Sequence, residues 1–154
     1  MHLSTYLNDH LAGSTAALEL LEHLERSHAD LAPFLKGLRH DIELDRKELE
    51  ALIARLGATP SAPRQAAAWV AEKFARLKMT VDDLSGSRLK LLESLEAVAI
   101  GIHGKGSLWR ALKVVPAAAG LDYDTLVRRA DEQRERIESV RLDAARRALA
   151  GDPA

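Results

Sequence analysis

The stretch AIGIHGKGSLWRAL, residues 99–112, crowds Gly101, Gly104, Lys105 and Gly106 ahead of Ser107. Glycines beside a lysine and a hydroxyl have the composition of a phosphate cradle, in which backbone N–H groups and the ammonium hold phosphate oxygens. The spacing does not fit that chemistry. With Gly104-Lys105 as the GK pair of G-x-x-x-x-G-K-[ST], glycine is needed at 99 and Ser or Thr at 106. The chain has Ala99 and Gly106 there, and Ser107 falls one place late. A helical segment also precedes the stretch, where the motif needs a strand. The sequence predicts instead that Gly101 and Gly104 end one helix and that Ser107 caps the next, with Trp109 and Leu112 closing one end of the fold. His103 beside Lys105 has the types of an acid–base pair, but a histidine at a helix end is equally well explained by the helix dipole.

Imidazoles and carboxylates on helices offer a second chemistry. A di-metal bundle takes one Glu from each of two helices and Glu-x-x-His from each of the other two, all pointing inward. No E-x-x-H occurs in the chain. Glu19 and His23 stand at i, i+4, and His40 and Glu43 form the reverse order, but both pairs and Glu93 project away from the apolar stripes of their helices. The inward polar residues are others. His10 lies on an apolar arc with Tyr6 and Ser14, Asp45 between Ile42 and Leu49, and Glu96 beside Leu92, Leu95, Ala99 and Ile100. Arg88 shares that last stripe, and Gln133, Arg134 and Arg141 fall on or near the inner face of the final helix. That helix presents no inward carboxylate or imidazole. Guanidinium cannot ligate a cation and repels it. The inward cluster His10, Asp45 and Glu96 is therefore read first as a metal-free polar network, with Arg88, Arg134 and Arg141 as its charge partners. The alternative is a di-metal or mono-metal oxidoreductase or metal-handling protein with a degenerate site, a single iron or manganese then sitting at those three residues.

The elements that must position these groups are helices. Ala, Leu, Arg, Glu and Lys dominate, and no stretch alternates long enough to read as a strand. The period predicts helix A over about 3–27, helix B from an Asp30 N-cap to Leu56 with Gly57 after it, and helix C over about 83–103. A short helix SLWRALKVV then ends at Pro116, and helix D runs from an Asp122 cap to about 149. Leu121 and Leu126 have the spacing of a hydrophobic staple on helix D. Between B and C, GATPSAP and MTVDD bracket a shorter helix over 62–78 carrying Trp69, Val70, Phe74 and Leu77. A tight A–B turn forces an antiparallel pair, and one long crossover between two hairpins is the topology of ferritin-like four-helix bundles.

Composition bounds the rest. The 154 residues suit one domain, 1–154, with a real core. A formal charge of −1 creates no field to attract nucleic acid or a membrane surface. The arginines of RRADEQRER are interleaved with acids, which reads as a salt-bridged surface. The absence of cysteine excludes disulfides and thiolate chemistry. MHLSTYLNDHL has neither a basic nor an apolar leader region, and the expected location is the cytoplasm.

SLEAVAIGIHGKGSLWRAL, YLNDHLAGSTAALELL and AAAWVAEKFARLK together resemble a family of small bacterial proteins with a ferritin-like fold, whose signature is L-E-x-L-x-x-G-I-x-G-K-x-x-L-W-x-A-L. The resemblance implies the fold and no activity. The expected function is that of a non-catalytic, metal-free bundle without a cofactor, acting through self-association as a dimer or through a protein partner. Trp69 and Phe74 either pack on the bundle or contribute to a dimer face.

Overall fold

The computed structural model describes residues 2–58, 72 and 84–150, all of its regular structure being helical. Four long helices account for it: α1 (His2–Ser27), α2 (Ala32–Arg55), α3 (Leu84–Lys113) and α4 (Tyr123–Leu149), with a single 3-10 turn (Pro116–Ala118) before α4. None of the described helices is long and apolar enough to cross a membrane. The expected short helix over 62–78, with Trp69 and Phe74, lies outside the described residues.

Local chemistry explains most of the boundaries. At the end of α2, Gly57 takes φ 64°, which only glycine adopts without strain. Its N–H bonds the Ala54 carbonyl while Ala58 N–H reaches Ile53, the paired bonds of a Schellman stop. At the start of α4, the Asp122 carboxylate accepts from Thr125 N at 3.1 Å and from its hydroxyl at 2.7 Å. Those bonds hold the Asp122 carboxyl below the usual carboxylate range. Leu121 and Leu126 both join the same apolar cluster, as a staple requires.

Two boundaries differ from expectation. Leu31, without a side-chain cap, precedes α2, and Asp30 instead faces Arg147 at 3.6 Å across the surface. The larger correction concerns 101–107: α3 continues through Gly101, Gly104 and Gly106 to Lys113 without a break. Glycine inside a helix costs about 1 kcal/mol relative to alanine. The apolar stripe runs in phase across the glycines, however, through Leu95, Val98, Ile102, Leu108, Trp109 and Leu112, all buried. Burial at about 1.5–3 kcal/mol per large side chain outweighs the glycine cost. At Gly106 there is little room beyond a methyl group, because a Cβ there would lie 3.5 Å from Ala130 on α4 and 3.1 Å from Arg110 Nη1.

The core divides along the bundle axis. One apolar cluster joins Leu20, Leu24, Leu35, Leu38, Leu95 and Ile137, and the other joins Leu7, Leu49, Leu52, Trp109, Leu112 and Leu126. The start of α1, the end of α2, the end of α3 and the start of α4 thus share one end. The helices form two antiparallel hairpins, α1–α2 and α3–α4, with α2 parallel to α3. The end of α2 and the start of α3 lie at opposite ends of the bundle, which is why a long connection is needed between them.

Candidate functional site

Between the two apolar clusters lies a polar layer at mid-height. Three of the four helices contribute to it where their stripes pass from one cluster to the other: Asp45 between Ile42 and Leu49 on α2, Lys105 between Ile102 and Leu108 on α3, and Gln133 between Leu126 and Ile137 on α4. Asp45 and Gln133 are buried, and Asp45 is the sole buried carboxylate among the described residues. Such a group is tolerated only when its hydrogen bonds are met.

The layer closes as a triangle. Lys105 Nζ donates to Asp45 Oδ2 at 2.6 Å and also to Gln133 Oε1. Gln133 Nε2 donates to the same Asp45 Oδ2 at 2.9 Å. Arg129 Nη2, one turn before Gln133, lies 2.8 Å from Asp45 Oδ1. The approach of Arg129 is a charge contact without hydrogen-bond alignment, so Oδ1 has no aligned donor. Burial pushes the Lys105 ammonium below the usual lysine range; Asp45 opposes that shift and Arg129 adds to it.

On the α1 side the layer opens into a cleft of about 340 Å³ between α1 and α3, floored by α2. Its lining includes His10, Ser14, Asp45, Lys105 and Trp109. The His10 ring meets Tyr6 edge-on at 4.7 Å. Burial holds its imidazole below the usual histidine range, with Asp9 acting in the other direction. The indole N–H of Trp109, itself buried, has no acceptor among the described residues.

Of the three inward residues expected to cluster, His10 and Asp45 line this cleft and Glu96 does not. Glu96 sits nine residues before Lys105 on α3, about 13 Å along the axis at 1.5 Å per residue. It is half exposed and bonds Arg141 Nη1 at 3.1 Å, while Arg141 also bonds Glu138. Those carboxylates raise the Arg141 pKa, Glu138 most. Arg134 is exposed on α4, and Arg88 lies half-buried near the start of α3. The cations on Asp45 are thus Lys105 and Arg129, in place of the expected Arg88, Arg134 or Arg141. Lys105 falls where the glycines predict a helix end, and Arg129 lies beside rather than on the inner stripe. Continuing the spacing 95, 98, 102, 105, 109, 112 through the glycines would have placed Lys105 inward.

The remaining candidate ligands are dispersed. Glu19, His40 and Glu93 are exposed, and Glu43 bonds Arg39 at 2.9 Å. Among the described residues no three of His, Asp and Glu come together as a cation would require. Compared with family models, curated proteins and solved structures, the chain matches none.

Proposed function

We propose that the chain is a metal-free ferritin-like bundle that works by binding, through self-association, rather than by catalysis. One observation carries this reading. At mid-height, where ferritin-like di-metal proteins gather carboxylates and imidazoles around two cations, the buried carboxylate here already holds an ammonium. Asp45 meets Lys105 at 2.6 Å and Arg129 at 2.8 Å. A divalent cation entering there would face two fixed positive charges and one carboxylate, the reverse of a metal site's balance. The two-hairpin order with a long link between α2 and α3, together with the resemblance of SLEAVAIGIHGKGSLWRAL to the bacterial family, supports the ferritin-like assignment.

Self-association is supported by exposed apolar side chains on and just past α3. Leu89 is 43% and Ile100 68% exposed, and the two fall within about 20° of one another at 100° per residue. Val114, in the turn that follows α3, is 79% exposed. The expected dimer is tested by light scattering on the eluting protein, alone and as Ile100→Glu/Val114→Glu. A wild-type monomer, or a double variant that remains dimeric, would refute this surface. Elemental analysis of the same samples tests the metal-free reading. Stoichiometric iron or manganese, lost on Asp45→Ala, would overturn it. The reading also includes a cytoplasmic location and no nucleic-acid partner, supported by the interleaved charges; a gel shift at physiological salt tests the latter.

A further inference from the structure

The polar layer does not consume the whole of Lys105. An ammonium has three donors, and two are spent on Asp45 and Gln133. The side chain is 14% exposed and belongs to the lining of the α1–α3 cleft. The charges nearest it do not cancel: Asp45 carries one negative charge against the positive charges of Lys105 and Arg129, while Asp41, which also acts on Lys105, is paired with Arg136. Asp9 and Arg46, the other charges on the lining, are opposite in sign. Burial disfavours the charged form of His10, against the pull of Asp9. Lys105 at the deep end of the cleft thus keeps one donor, and the buried group it belongs to, with Asp45 and Arg129, is net positive.

The rest of the cleft is apolar and open because side chains are missing. Gly13 on α1 and Gly101 and Gly104 on α3 all line it. A Cβ at any of the three would find no described atom within 4 Å beyond its own helix backbone. Ala17, Leu49, Val98, Ile102 and Leu108 supply the walls. A volume of about 340 Å³ lies at the small end of the range for small-molecule sites. These glycines do not serve helix ends, since α3 continues through Gly101 and Gly104.

We propose that the α1–α3 cleft binds a monocarboxylate with a medium-length alkyl tail, its carboxylate on the third donor of Lys105 and its tail between Gly13, Gly101 and Gly104. A carboxylate neutralises the surplus charge without displacing Asp45, which keeps Gln133 and Arg129. An alkyl tail buries against the apolar walls, each buried CH₂ contributing favourably. This goes beyond the proposed self-association; Ile100, which lines the cleft as well, is left unchanged in the variants that test binding.

The probe is decanoate below its micellar concentration, titrated calorimetrically into the full chain, with decanol as the uncharged comparison. Decanoate is expected to bind at one site per chain and at least about tenfold more tightly than decanol. Gly104→Met fills the cleft without touching the polar layer and is expected to abolish binding, with the melting temperature of the folded protein measured as a control. Lys105→Met is expected to erase the difference between decanoate and decanol. Should Lys105→Met fail to fold, Gly101→Leu and the acid–alcohol comparison on the wild type still decide. No decanoate binding to the wild type, as when another part of the chain fills the cleft, overturns the proposal. So does binding that Gly104→Met and Gly101→Leu leave intact, or equal affinity for the acid and the alcohol.

Discussion

Asp45 concentrates the electrostatic demands of the molecule on one side chain. It is fully buried, and two hydrogen bonds on Oδ2 plus the Arg129 contact on Oδ1 offset its desolvation. Removing one member of such a group leaves the others charged and dry, which costs about 3–5 kcal/mol, whereas replacing the set with apolar residues is often neutral or stabilising. Asp45→Ala is accordingly expected to destabilise by about 3–5 kcal/mol in urea denaturation, because Lys105 loses the carboxylate it is bonded to. Lys105→Met should cost less, since Asp45 keeps Arg129 and Gln133. The double variant Asp45→Leu/Lys105→Met should recover much of the loss, a coupling that a double-mutant cycle measures directly. Additive single losses would mean that the two side chains do not depend on each other. His10 was legible as inward from its place on the α1 arc, and its cleft position agrees with that phase. Glu96 shared the same periodic logic, but a flank of a stripe is where a long side chain can turn outward, and Arg141 supplies the reason to do so.

At the scale of the element, α3 is where local and tertiary signals part. Three glycines within six residues argue locally for a stop, and a helix excised from the protein would fray there. Packing on both sides of them holds the helix through. Gly104→Ala is therefore expected to stabilise the fold by about 0.5–1 kcal/mol, because it replaces a mid-helix glycine in open space. A helix that ended at 103 would instead lose stability on that substitution. Gly106→Leu should act in the opposite sense, forcing α3 from Ala130 at a cost of about 1–3 kcal/mol. The contrast between two glycines two residues apart, read in thermal melts, separates space from close approach. Asp122 and Gly57 were legible because their work is local: a carboxylate reaching Thr125, and a backbone turning left-handed. Asp30 was not, because its competing partner Arg147 comes from the far end of α4.

For the whole molecule, acidification brings several groups together in one curve. Burial holds His10 and His28 below the ordinary histidine value of 6.5, so each stays neutral in the fold while the unfolded chain begins to protonate. The unfolded state then binds more protons, and stability is lost as pH falls from 6.5 through the folded values. Asp9, Asp45, Arg46 and Lys105 share the His10 cleft, and Asp30 faces His28. The carboxyls of Asp122 and Glu138 are held low by Thr125 and Arg141, and their contribution is lost only in the more acidic range below their ordinary values. Melting temperature followed from pH 7.5 to 5 should decline less steeply in His10→Asn than in the wild type, with His28 accounting for what remains. Parallel curves would show that His10 does not titrate in that window. The sequence by itself determined what short-range physics controls: helices from composition and period, the antiparallel first hairpin from its short turn, the stop at Gly57, the cap at Asp122, and the inward phase of His10, Asp45 and Gln133. The tertiary structure alone decided that α3 is continuous, that Lys105 rather than an arginine of the last helix stands on Oδ2 of Asp45, that Glu96 leaves the interior, and that three glycines open a cleft. Each of those depends on the energy of packing one helix against another, which no single helix's sequence contains.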